Sequence, residues 1–219
     1  MKYEKSTTMS VRRVITSLLI YLAIPVLKAV LGRLIGSDTL AGMLVLNLGA
    51  MVLLVYDWEL FGLHWNRAKA NLPDMILYGV IGVVFLFFWI LINESYLHGE
   101  MLMPNPETLH AYPIAVPPIL FAYSFSLSVI INITFKCITD RFKVHAREAA
   151  MILLSGFLFG FIYTVTMVPL QFETLLQTYL FNVILISALS YLYNQTHSIL
   201  PGMLALSTAL FAWQVLFIL

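Results

Sequence analysis

The chain is short of almost everything a water-soluble enzyme is built from. Of its 219 residues one is a cysteine, and only 11% are charged. The single thiol, Cys137, excludes an internal disulfide and has no metal-site spacing around it. Gly-rich phosphate loops, nucleophile–histidine–acid sets and CxxC pairs are absent. Net charge is +1, too little to hold a nucleic acid. The five histidines, His64, His98, His110, His145 and His197, fall in loops or at the ends of apolar runs. They are expected there as interfacial, solvated groups. Lys and Arg are missing altogether from 93–110, where Glu94, Glu100 and Glu107 sit in what reads as a solvated loop.

What fills the space is apolar: 61% of the residues are hydrophobic. Runs of roughly 20 such residues are long enough to cross a bilayer core as helices. Seven are legible: about 14–31, 39–55, 75–92, 111–135, 148–168, 172–193 and 198–219. The fold class is therefore an all-α, polytopic integral membrane helical bundle of about seven transmembrane helices. The N-terminus carries Lys2, Lys5, Arg12 and Arg13 ahead of an apolar run and so mimics a signal peptide. No small-x-small cleavage pattern follows, and the run is read as a first span. Lys28 and Arg33 bound it, Pro25 inside it suggests a kink, and Gly36-Ser37-Asp38 is a turn.

Charge asymmetry sets the orientation. Loops 56–74, 136–147 and 194–197 fall on one side, and the first two hold Arg67, Lys69, Lys136, Arg141, Lys143 and Arg147. Loops 93–110 and 169–171 on the other side hold no Lys or Arg, which gives an N-in, C-out topology. Arg33 alone sits awkwardly, near the first outside turn. The basic segment Lys136 to Arg147 reads as a cytoplasmic loop attracted to anionic lipid. Within 56–74, Leu60 to Trp65 is amphipathic enough to lie at the interface, with Trp58 and Trp65 as anchors.

Inside the apolar spans, polar side chains are costly and stand as functional hypotheses. Asn132 and Tyr163 are the pair singled out, with Lys136 at the membrane edge. A hydrogen bond from Asn132 to the Tyr163 hydroxyl would satisfy both and leave a residual pocket. Gly156-x-x-x-Gly160 permits close helix approach, read as packing within the bundle.

Four segments, in this order, resemble the CPBP (CAAX protease and bacteriocin-processing, or Abi) family of intramembrane proteases. Leu60-Phe-Gly-Leu63 is similar to that family's Leu-Gly-Leu lead-in. Ile131-Asn132-Ile-Thr-Phe-Lys136 falls where the family carries Glu-Glu-x-x-x-Arg. Leu154-Ser-Gly-Phe-Leu-Phe-Gly-Phe-Ile-Tyr163 resembles a motif ending in the first histidine. Ser198-Ile-Leu-Pro-Gly-Met-Leu-Ala-Leu206 resembles one ending in the second, with an asparagine four residues on. The resemblance covers residues 56–219, behind a two-helix segment at 1–55, in what reads as one transmembrane domain. Position by position, the glutamates become Ile131 and Asn132, the arginine Lys136, the histidines Tyr163 and Leu206, and the asparagine Leu210. An amide cannot serve as a base near neutral pH, so the resemblance implies a site without catalysis.

The expected function is therefore a catalytically inactive, CPBP-like membrane protein that acts as a scaffold or regulator of another membrane or envelope protein. Alternatives are self-protection against a bacteriocin or similar membrane-active peptide, and a small-molecule-binding or transporter subunit. No cofactor or metal is expected. The partners are membrane lipids and a protein, and the location is a bacterial cytoplasmic membrane.

Overall fold

The computed structural model describes residues 9–102, 116–142, 148–168 and 171–218. Among them there is no strand. Eight α-helices follow one another: α1 (Val11–Ile35), α2 (Asp38–Tyr56), α3 (Trp58–Ala70), α4 (Leu72–Ile92), α5 (Val116–Phe142), α6 (Glu148–Met167), α7 (Leu175–Thr196) and α8 (Leu200–Ile218). Seven of these, all but α3, are long and apolar enough to cross a membrane. The chain is an integral membrane protein.

Local chemistry sets the boundaries. The Ser10 side chain accepts the Arg13 N–H at 3.3 Å and caps the start of α1. Gly36 closes α1 in the left-handed region at φ 73°, returning its N–H to Gly32 O at 2.9 Å. Ser37 then caps α2 through the Leu40 N–H. The hairpin is tight because Gly32, lacking a Cβ, lies directly against the Asp38 carboxylate. Pro25 sits inside α1 without ending it.

The segment 56–74 is not a loop but mostly helix. Leu60, Phe61, His64 and Ala68 are buried on one side of α3, while Trp58 and Trp65 are exposed on the other. This is the pattern of a helix lying in the interface. Nor does the chain leave helix at Ile92: a π-helical turn, Asn93–Leu97, carries α4 onward. The Asn93 side chain closes it by pairing both ways with the Gly99 backbone, at 2.8 and 3.1 Å.

Helix α5 is the axis of the bundle. Two-thirds of its spanning window is buried, against under a quarter for α1 and α4, whose outer faces carry Leu19, Val26, Leu34, Phe85 and Phe88. Those exposed side chains are the lipid-facing surface. Packing runs α1 on α2, α2 on α5, α5 on α8, α8 on α4, and α6 on α7. Ser124, Ser128, Asn132 and Lys136 recur every four residues, so one polar stripe runs down α5. All four are buried. Ser124 donates to Gln214 Oε1 at 2.9 Å and Ser128 to the Met203 carbonyl at 2.7 Å, so the stripe stitches α5 to α8. On a neighbouring face, Ser126 donates to Asn47 Oδ1 of α2 at 2.8 Å.

Candidate functional site

Four of the positions aligned with the protease motifs meet in space. Ile131 on α5, Tyr163 on α6 and Leu206 and Leu210 on α8 line one internal cavity, together with Asn182 of α7. Its volume is about 20 Å³. That is room for about one water molecule and no organic ligand. The polar groups on its wall are the Tyr163 hydroxyl and the Asn182 amide, and the latter already donates to Thr164 Oγ1 at 2.9 Å. Nothing on that wall can take a proton near neutral pH. Among the described residues no three His, Cys, Asp or Glu side chains group as a metal site.

Asn132 does not share this cavity, and the expected Asn132–Tyr163 hydrogen bond is not made. The Asn132 amide donates instead to the Ser128 carbonyl at 2.9 Å, with the Ser128 hydroxyl at 3.4 Å. The carbonyl one turn back is always within reach, and here it outcompetes a partner on another helix. The Asn132 Oδ1 is buried without a partner and lies against Gly202, where a Cβ would come within 2.6 Å. Glycine is needed there so that α8 can lie over the amide.

Lys136 also departs from expectation. It belongs neither to a loop nor to solvent: it lies inside α5, fully buried. Its ammonium donates to the Tyr193 hydroxyl at 2.8 Å and stands 4.8 Å from the centre of that ring. The physical reason is the partner set. The Tyr193 ring and hydroxyl serve the cation together. Asp57 and His64 feel its charge. Of the other basic residues assigned to that loop, Arg141 lies on the last turn of α5, while Lys143 and Arg147 fall outside the described residues.

Around Lys136 one end of the bundle gathers a polar cluster. Asp57, between α2 and α3, is buried and accepts from Ser17 of α1 at 3.0 Å. Arg13 reaches it at 4.0 Å and pairs with the exposed Glu59 at 2.6 Å. Burial pushes the Asp57 carboxyl above its ordinary range, and Ser17, Arg13 and Lys136 pull it back. His64 is buried rather than solvated, and neither ring nitrogen has a hydrogen-bond partner. Burial, helped by Lys136 and Arg67, pushes its pKa down to about 3, so the ring is neutral. The His197 carbonyl opposes this weakly without completing a bond to the ring. Ser198 donates to the His64 carbonyl at 3.4 Å, which ties α3 to the start of α8.

Asp57 and Ser17 carry no motif. His64 did carry a signal: it falls three and four residues from Phe61 and Leu60 and four from Ala68, on the apolar side of its helix. Gly156 and Gly160 lie against α7 of the same chain. A Cβ on Gly160 would stand 3.0 Å from Val183 N, and one on Gly156 would meet the Ser187 hydroxyl. Comparison with protein-family models, with curated proteins and with solved structures gives no match to this chain.

Proposed function

We propose that this protein is a catalytically inactive, CPBP-like membrane protein that acts as a scaffold or regulator of a partner protein in a bacterial cytoplasmic membrane. One observation carries the reading. The positions that resemble the protease's histidines, its asparagine and one of its glutamates converge on a single point of the bundle. There they are Tyr163, Leu206, Leu210 and Ile131 around about 20 Å³. Convergence is what an inherited active-site geometry would leave behind, and the filling is what loss of hydrolysis would allow. A transporter or small-molecule role fits less well, because that point has no room for a substrate. Without chemistry to perform, the bundle has its surfaces left to act with.

The purified protein in detergent or vesicles is expected to cleave neither a generic protein substrate nor a prenylated C-terminal peptide. Mild-detergent extraction of a tagged copy is expected to bring down one membrane or envelope protein in near-equal amount. Cleavage that Tyr163→Phe abolishes would overturn the inactive reading. Recovery of the chain alone would overturn the scaffold.

A further inference from the structure

The outer end of the bundle carries a second cavity that the motifs do not touch. It lies between α1, α2 and α6, has a volume of about 510 Å³, and is lined by Lys28, Arg33, Asp38 and Thr166 among apolar neighbours. Its floor is buried, with Ile24, Gly42 and Leu46, while Ala29 and Arg33 on its rim are exposed. It is a side-opening notch of ligand size.

Both cations are out of place there. Arg33 breaks the positive-inside pattern, and Lys28 lies within an apolar span. Twenty residues of helix counted from Val14, the first residue past Arg12 and Arg13, cover about 30 Å and end at Arg33. Lys28 is about 7.5 Å deeper, a depth from which its stem can lift the ammonium to the same level. That stem lies over Gly42, where a Cβ would stand 3.4 Å from Lys28 Cε. Among the described residues neither Lys28 nor Arg33 forms an ion pair, although Asp38 lines the same notch. Asp38 is instead turned against Gly32 at the α1–α2 turn. Thr166 is occupied, sharing a 2.6 Å hydrogen bond with the Tyr21 hydroxyl and donating to the Ile162 carbonyl at 2.6 Å. Two cations thus face the notch at headgroup depth, and among the described residues its one lining carboxylate, Asp38, pairs with neither.

We infer that this notch binds the phosphate of an outer-leaflet phospholipid, with Lys28 and Arg33 as its ligands and the acyl chains lying along α1. Arginine and lysine are the side chains that grip phosphate oxygens, and basic pockets between transmembrane helices hold lipid headgroups. Asp38 sets the charge limit. Two cations and one carboxylate leave a single positive charge, which suits one phosphodiester and disfavours a diphosphate.

The full chain in detergent is titrated with phosphatidylglycerol, with diacylglycerol of the same acyl chains, and with inorganic phosphate. Bound lipid is counted by native mass spectrometry, and melting temperature is followed alongside. Phosphatidylglycerol is expected to stay bound and to raise the melting temperature, and diacylglycerol to do neither. Lys28→Gln and Arg33→Gln should each weaken retention about tenfold, the worth of one charge-assisted hydrogen bond. Arg33 is exposed, so Arg33→Gln keeps the fold and the test stands even where Lys28→Gln does not. Lys69→Gln, at the opposite end, should leave retention unchanged. Equal binding of diacylglycerol, an equal loss in Lys69→Gln, or a full melting shift from inorganic phosphate alone would each overturn the lipid assignment.

Discussion

A neutral histidine and a carboxylate buried at one end of the bundle make stability depend on pH in opposite senses. His64 has its pKa pushed to about 3 from an ordinary 6.5, so the unfolded chain takes up a proton first. The stability this ring contributes is present above pH 6.5 and is lost as pH falls toward 3, about 2 kcal/mol of it by pH 5. Asp57 shifts upward, so its folded form takes up a proton before the unfolded one, and stability is regained as pH falls through its raised value. Thermal melts between pH 7.5 and 5 should therefore flatten in His64→Phe. An unchanged slope in His64→Phe sinks the assignment. The sequence showed less at this scale than at any other. Asn132 was visible as a costly buried amide, but its direction was not, because the Ser128 carbonyl and a helix distant in sequence compete for the same donor. Asp57 was hidden because a carboxylate between two helices looks solvated until its Ser17 partner is known.

Helices were legible where hydropathy alone defines them. The seven long apolar runs all appear, and the Leu60–Trp65 amphipathic stretch is the middle of α3. Their ends were less so. An apolar run stops at Phe135 because Lys136 breaks it, yet α5 continues to Phe142, since backbone hydrogen bonds are indifferent to side-chain charge. The four-residue repeat of Ser124, Ser128, Asn132 and Lys136 is the trace that an extended, buried α5 left in the sequence. Contacts between helices allow a sharper test. On Gly160 a Cβ meets Val183 backbone at 3.0 to 3.1 Å, which cannot swing aside, whereas on Gly62 of α3 nothing lies within 4 Å. Gly160→Ala should lower stability by about 1–3 kcal/mol through overpacking of α6 on α7. Gly62→Ala should raise it by up to about 1 kcal/mol through helix propensity. Denaturation in mild detergent checks both, and equal effects would mean that α6 and α7 are not in close contact.

For the whole molecule, seven crossings place the turn after α4 and the helix α3 on opposite sides of the membrane. Cys137 is buried, so the chain offers little thiol background. Glu94→Cys should react with a membrane-impermeant maleimide in intact cells, and Lys69→Cys only after lysis. The reverse pattern would invert the orientation drawn from charge. The path of the chain also has a consequence in time. The inward face of α4, with Met75, Gly82, Leu86 and Ile90, is closed by α7 and α8: a Cβ on Gly82 would come 2.7 Å from Leu192 Cδ1 and 2.9 Å from Ala205 Cβ. Those partners leave the ribosome long after α4 has entered the bilayer. Until then acyl chains are all that can occupy the hollow at Gly82, and they must be expelled when α7 and α8 arrive. Assembly of this bundle is thus a late exchange of lipid for protein, with the bilayer as the first, temporary partner of a surface whose permanent one has yet to be made.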